Sequence, residues 1–416
     1  MVLGLIGSFQ EACGGMGKTY EGDKEMMILH LGDIHFRNDL LAEIEKCVDF
    51  AAKRAESSVR PDAIVIAGDV FDERQTYDSP AFLAADRYIR RLSRTAPVLI
   101  VKGTPSHDGQ TLKFFENERV YVSEAPEQVL LTARGFIKYN GTVPGDAGAL
   151  FSCLPSVSKA SIAAFYKGSL SETSFNTVEL MRDVLRGWGE VNARVRMNIP
   201  TVLVGHLSVT GAILSTGQQM VGREVELGVG DLRMAAADLV CLSHIHKAQN
   251  WGEVFYSGSI TRLNFGEAED KGFWIHSFEA RKVASRFIKT PAREMVTVDC
   301  DAPPSPDVLE HVPEGACVRL RYQVSEEEVH MVDEKVLKEK LAAMGAAEIK
   351  IEKTVVPRQR VRAEGISRLA SLDDKLRKWA ETVGEDLPDG VFKKLALLEQ
   401  GEDVCEETQR AEALAV

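Results

Sequence analysis

The sequence predicts a layered α/β fold, and three observations carry that prediction. Short runs rich in Val, Ile and Leu recur along the chain (ILHL, AIVI, VLIV, TVLV, LVCL) with little polar alternation, as strands buried on both faces read. The first three runs are separated by stretches with helical apolar spacing, which is the strand–helix–strand signature of a layered sheet. Each of the five runs also ends on Asp or His. In open α/β layers the loops at strand ends are where sites assemble.

The elements follow in order. Residues 1–26 read as a flexible extension, with Met26 or Met27 opening the fold. Ala12 to Thr19 (ACGGMGKT) satisfies a permissive phosphate-loop pattern, but Gly22 and the first strand follow too soon for the helix that such a loop needs. The segment also lacks the basic start and long apolar stretch of a secretion signal. Leu41, Ile44, Val48 and Ala51 recur at helical spacing within Asn38–Glu56. A second helix is expected over Pro80–Ser93. Residues 110–155 read as hairpin and β segments, and Asn176–Val195 as a polar helix. After about Ser285 the pattern changes. ACVRLRYQV, a helix through Val332–Met344 and AEIKIEKTVV form a small β-α-β unit. Ser367–Thr382 and Asp389–Leu398 then read as two amphipathic helices, and Glu399–Glu412 as a solvated acidic end.

Composition bounds the function. A chain of 416 residues, 44% hydrophobic, buries a large core and holds two or more domains. No apolar run approaches the length that spans a bilayer. Seven cysteines without a C-x-x-C pair fit a reduced, cytoplasmic protein and argue against a zinc ribbon or a disulfide frame. The net charge of −12 sits poorly with nucleic-acid binding unless a local basic track and bound cations offset it.

The chemistry lies at the strand ends. ILHLGDIH presents Asp33 and His35, two apart and thus on one side of an extended backbone. AIVIAGDVFD presents Asp69, VLIVKGTPSHD His107 and Asp108, TVLVGH His206, and LVCLSHIH His244 and His246, with Ile245 turned into the core. These runs hold six of the nine histidines, counting His30, which lies on the other strand face. Carboxylates and imidazoles gathered in this way form a two-metal site.

The order of these motifs resembles the calcineurin-like metallophosphoesterases. LSHIHKAQ followed by FYSGSITRLNFGEAEDKGF resembles, more narrowly, the SbcD group, the nuclease subunit of SbcCD-type DNA double-strand-break repair complexes. The resemblance covers about residues 27–280 by motif. It implies an αββα sandwich over 27–285, a capping domain over 286–357 that selects DNA, and a C-terminal helical segment over 358–416 that grips an SbcC-type ATPase. It implies Asp33, His35 and His246 as ligands of one metal, Asp69 as the bridging carboxylate, and His206 and His244 as ligands of the second. His107 is expected to stabilise or protonate the leaving oxygen, with Asp108 orienting its ring. Imidazole and carboxylate without thiolate suit manganese, iron or zinc, with magnesium a further option, and the resembling family uses two manganese ions.

One motif departs strongly from the family, and Ser243, where GHIH would have glycine, is a smaller departure. Where GNHD is usual, and its asparagine ligates the second metal, this chain has Gly103-Thr104-Pro105-Ser106-His107-Asp108. It is two residues longer and lacks the asparagine. Ser106 occupies the slot before the histidine and is the expected substitute, with Thr104 or a water as alternatives. Candidate DNA contacts are Arg90 and Arg91 on the second helix, Arg186 on the third, and Arg358 and Arg360. The function expected is a manganese-dependent DNA exonuclease and endonuclease, homodimeric and partnered by DNA and the ATPase. Competing readings are a phosphatase or cyclic-nucleotide phosphodiesterase, and a DNA-end-binding scaffold with a weakened second metal site.

Overall fold

The computed structural model describes residues 26–156, 177–215, 226–279, 282–305, 312–357 and 365–400. The extension expected before Met26, the Arg358–Arg362 track and the acidic end beyond residue 400 lie outside them.

The apolar runs become the inner strands of two sheets. In the first, β1 (Met26–Leu31), β2 (Ala63–Ile66), β3 (Val98–Val101) and β4 (Val120–Ser123) lie parallel and in sequence order. The chain then crosses to the second sheet with β5 (Glu127–Thr132), β6 (Gly135–Lys138), β7 (Ala149–Leu154) and β8 (Thr201–His206). A two-residue pair, β9 (Ser208–Val209) and β10 (Glu226–Leu227), precedes β11 (Leu239–Ser243), β12 (Gln249–Trp251) and β13 (Val254–Tyr256). The second sheet runs β12-β13-β11-β8-β7-β5-β6, with β7, β8, β11 and β13 parallel. The hairpin β14 (Gly272–Glu279) and β15 (Lys282–Lys289) returns to the first sheet, antiparallel to β1.

The two sheets face each other. Ile28, Val65, Leu99 and Val101 from the first pack on Val129, Phe151, Val202, Val204 and Phe255 from the second. The outer face of the first sheet is covered by α1 (Leu41–Arg54) and α2 (Pro80–Thr95), through Ile44, Val48, Phe82, Ala85, Ile89 and Leu92. That of the second is covered by the helix Thr177–Val195 through Met181 and Leu185. The result is the expected αββα sandwich. Each buried aliphatic side chain contributes about 1.5–3 kcal/mol, so these three apolar layers, not the surface ion pairs at about 0–1 kcal/mol each, fix the frame that holds the site.

Beyond the sandwich, β16 (Met295–Cys300), β17 (Cys317–Ser325) and β18 (Glu348–Val356) form a three-stranded sheet, with the helix Glu334–Ala343 between the last two. The expected β-α-β unit therefore has an additional strand, β16, whose residues are half-buried without alternation and so carry no period-2 signal. The boundary expected at residue 285 falls inside β15, because β14 pairs with it through Lys289. By its contacts the described chain divides into two units. One holds the large sheets and their helices with residues 312–320 and 336–351; the other holds 299–305, 321–335, 352–357 and 365–400. In the latter, the helix Leu372–Val383 is capped by the Ser371 hydroxyl accepting from Asp374 N and ends at Gly384 in the left-handed region. The helix Asp389–Gln400 follows, and the Arg377 guanidinium lies 4.1 Å from the centre of the Phe392 ring.

Candidate metal centre

Parallel pairing brings the carboxyl ends of β1, β2 and β3, and those of β8 and β11, to one edge of the sandwich. The chain does not leave β1 as an extended strand. Asp33 and His35 both lie in the left-handed region (φ 45° and 53°), as do Asp69 (48°) and His244 (109°). Asp33 and His35 therefore converge through a tight loop rather than by strand alternation. That loop is held by backbone bonds from Asp33 N to Gly68 O (3.1 Å) and from Ile34 N and His35 N to Asp69 O (2.9 and 3.1 Å). Backbone of this kind costs on the order of 1–3 kcal/mol per residue and clusters at functional sites. Gly68 permits the close approach: at φ 96°, a Cβ there would lie 2.3 Å from His206 Nδ1.

The six charged or imidazole residues form two groups. Ligand atoms of Asp33, His35 and His246 lie within 4.8 Å of one another, as do those of Asp69, His206 and His244. Asp33, Asp69, His35 and His206 are buried. Asp69 Oδ2 lies 3.3 Å from His206 Nε2 and 3.9 Å from His35 Nε2, between the two groups. Both Asp33 oxygens accept from His244 N, at 3.1 and 3.0 Å.

The rings are oriented from behind. His246 Nδ1 donates to Glu267 Oε1 (3.0 Å), and His206 Nδ1 donates to the carbonyl of Ala67 (2.9 Å). His35 Nδ1 faces Asp72 Oδ1 at 3.2 Å, off the line of a well-aligned hydrogen bond. In neutral rings the two hydrogen bonds hold the protons of His246 and His206 on Nδ1 and turn their bare Nε2 atoms inward. There His35 Nε2 meets His246 Nε2 at 3.1 Å, and His206 Nε2 meets His244 Nδ1 at 3.2 Å. Facing lone pairs at that distance repel unless a proton or a metal cation lies between them. Burial alone would raise the Asp69 carboxyl, but the positive charge of His206 and hydrogen bonds from His107 and His206 hold it far below the usual carboxylate range. Burial would lower His206, and Asp69 reverses this and lifts it to about 9. The pocket demands positive charge, and its carboxylate–imidazole set without thiolate fits divalent ions.

His107 lies beside this pair and donates from Nδ1 to Asp69 Oδ2 (2.9 Å), with its side chain about 31% exposed. That bond is the leading cause that raises its pKa. Asp108 does not orient the His107 ring. Its Oδ1 accepts from Val70 N and Phe71 N (3.0 and 3.3 Å) and its Oδ2 from Gly103 N (2.8 Å), so it ties the second and third loops together. Burial, then the charge of Asp69, raise its pKa to about 7. Ser106 is exposed, and no hydrogen bond links it to the site. Thr104 takes the inner position instead: its Oγ1 donates to Asp69 Oδ2 (3.1 Å) and lies 3.3 Å from His206 Nε2.

The arginines expected on DNA are engaged by their own chain. Arg90 pairs with Asp86 one turn away (2.8 Å). Arg91 pairs with Glu56 (2.6 Å) and with Asp49, and Arg186 with Asp183 (2.6 Å). Each follows from helix geometry, at i,i+3 or i,i+4 spacing or across the α1–α2 contact, and a phosphate would have to displace those carboxylates. Arg358 and Arg360 lie outside the described residues. His30 is buried between the sheets. It donates from Nε2 to Leu242 O (3.1 Å) and meets His276 Nε2 at 3.3 Å through Nδ1, while His276 Nδ1 takes the Ser285 hydroxyl (2.7 Å). With Cys241 these rings form a separate cluster, but each of their nitrogens already has a protein partner.

Sequence reasoning missed Glu267, Asp72 and Lys271. Lys271 is buried, with Nζ 2.8 Å from Glu267 Oε2, 2.7 Å from Glu269 Oε1 and 2.9 Å from His246 O. The signal was present: Glu267 and Lys271 are charged residues of FGEAEDKGF, and Asp72 closes GDVFD.

The family pattern of the calcineurin-like phosphoesterases matches residues 26–248, over half of the chain. The chain belongs to that family and is a metal-dependent phosphoester hydrolase. Among curated relatives it is similar to the SbcD subunit of the nuclease SbcCD of Staphylococcus epidermidis, 24% identical over 294 residues that cover 66% of this chain and 73% of that one. The same nuclease subunit from Staphylococcus saprophyticus is 25% identical, over 66% and 72% of the two chains. That of Escherichia coli K12 is 26% identical, over 60% of this chain and 64% of its own. No helix among the described residues is long and apolar enough to cross a membrane.

Proposed function

We propose that this chain is a two-metal, manganese-dependent DNA exonuclease and endonuclease, the SbcD-like subunit of a DNA-end-processing complex with an SbcC-type ATPase. The observation that supports it most is the pair of neighbouring, largely buried carboxylate–imidazole groups, one of which includes Asp69, on a chain similar along about two thirds of its length to nuclease subunits.

In this reading Asp33, His35 and His246 would hold one ion and His206 and His244 the other, with Asp69 the anion available to both. When bound, two divalent ions hold a phosphodiester and lower the pKa of a water for in-line attack on phosphorus. Glu267 and Asp72 keep His246 and His35 turned toward the ions, and Ala67 O does the same for His206. His107, which lies beside Asp69, would deliver a proton to the leaving oxygen.

The remaining roles extend the similarity. Residues 286–357 serve as the DNA-selecting cap, and the C-terminal helices dock on the ATPase. Leu372, Trp379, Val383 and Leu398, all substantially exposed on those helices, provide an apolar surface for such a contact. The chain works as a homodimer in the cytoplasm.

The test presents end-labelled linear duplex DNA, a phosphomonoester and a cyclic nucleotide to the full chain with manganese. The proposal predicts efficient cleavage of DNA and weak turnover of the small substrates. Efficient turnover of a small substrate with intact DNA would contradict it.

A further inference from the structure

Residues 103–108 form the loop at the site that departs most from the family pattern, and its folding selects which neutral oxygen enters. Gly103 is pinned on both sides: its N donates to Asp108 Oδ2 (2.8 Å), and a Cβ there would lie 2.2 Å from Asp69 N and Oδ1. Thr104 N then donates to Asp69 Oδ1 (2.6 Å). From Thr104 O the chain turns back on itself, accepting from His107 N (2.9 Å) and Asp108 N (2.8 Å). Pro105 and Ser106 form the exposed bulge of that turn, which absorbs the additional length. Ser106 is adjacent to His107 in sequence yet points outward in the fold, whereas Thr104 is anchored at the floor.

We infer that Thr104 Oγ1 is the neutral ligand of the second metal, in place of an amide oxygen. This rests on the two-metal reading above. Thr104 Oγ1 lies 3.1 Å from Asp69 Oδ2 and 3.3 Å from His206 Nε2, two of the three atoms assigned to that ion. A hydroxyl oxygen is a hard, uncharged donor, which suits manganese or magnesium over softer ions. Its proton, given to Asp69 Oδ2 in the metal-free protein, turns away once that oxygen holds metal, and a lone pair turns inward. Asp69 Oδ1 stays fixed by Thr104 N, so one residue sets both the bridging carboxylate and the neutral donor.

The test is manganese titration by calorimetry, with electron paramagnetic resonance of the bound ions, on the full chain and on Thr104→Val, Thr104→Ser and Ser106→Ala. Thr104→Val keeps the shape and removes the oxygen. It is expected to bind one ion as the wild type does and the second at least about tenfold more weakly, no smaller a loss than that of an outer hydrogen-bond partner. Its metal–metal coupled signal should disappear at manganese levels that saturate the wild type. Thr104→Ser should restore both readouts, and Ser106→Ala should match the wild type. Two unweakened ions in Thr104→Val, or loss of the second ion in Ser106→Ala, would overturn the inference. Loss of both ions in Thr104→Val would also overturn it, by assigning the effect to the placement of Asp69. Fewer than two ions in the wild type would overturn the two-metal reading itself.

Discussion

Glu267 holds His246 and Lys271 at once, with Oε1 3.0 Å from His246 Nδ1 and Oε2 2.8 Å from Lys271 Nζ. Glu267 is itself buried, directly behind a ligand of the first group. Burial alone would raise its pKa; the His246 hydrogen bond and the Lys271 charge draw it down to about 2. A carboxylate behind a metal-ligating imidazole fixes the tautomer and raises ligand basicity. Glu267→Ala is therefore expected to weaken binding of the first manganese ion about 10–100-fold, read by calorimetry. Glu267→Gln, which keeps an acceptor for His246, should lose less. Because Lys271 keeps Glu269, the metal-free melting temperature separates lost folding from lost metal affinity.

His107 has a ligand atom within 4.8 Å of those of His35 and Asp69 but stands outside the two ion-holding sets proposed above. His107→Ala is expected to keep both ions while kcat on DNA falls about 10²–10⁴-fold, the contribution usual for a positioned proton donor. Metal content measured beside turnover checks this. Loss of an ion would make His107 a ligand.

Asp108 acts on the loops. In Asp108→Asn the amide nitrogen replaces one of two accepting oxygens, so either Gly103 N or the Val70 and Phe71 amides lose their partner. Leaving a buried N–H without an acceptor costs about 1–3 kcal/mol. Urea unfolding of the metal-free protein should show a loss of that size.

His30 makes stability depend on pH. Burial lowers its pKa from 6.5 to about 3, against the Leu242 hydrogen bond and the charge of Asp33. The unfolded imidazole takes up a proton near 6.5 and the folded one only near 3. The contribution is thus fully present above pH 6.5 and is lost as pH falls through 3. Between pH 7.5 and 5 it amounts to about 2 kcal/mol. His30→Leu should flatten the pH dependence of metal-free unfolding by that amount over this range, while the wild type keeps the steeper slope.

The strands and the gathering of Asp33, His35, Asp69, His206, His244 and His246 were legible because each of these residues follows an apolar run closely, so local sequence places it at a strand end. What was not legible depends on packing. Ser106 stands next to His107 in sequence, but the turn closed by Thr104 O turns Ser106 outward and leaves Thr104 inside. Asp108 stands beside the same histidine, and its carboxylate reaches three backbone amides that only the fold brings near. Glu267 lies 21 residues from His246, and its role needs the β11 end and the segment before β14 to meet. Arg91 of α2 reads as part of a basic face, because its carboxylate partners Asp49 and Glu56 lie on or just beyond another helix. β16 was missed for lack of alternation.

Cleavage of linear DNA with manganese, magnesium or no added metal, comparing the wild type with Asp69→Ala and His107→Ala, decides whether this chain is a two-metal nuclease. Manganese-dependent cleavage by the wild type is expected, lost in both variants, with the ions lost only in Asp69→Ala. Cleavage that survives Asp69→Ala, or a wild type that binds DNA ends and cleaves nothing with manganese present, would contradict it.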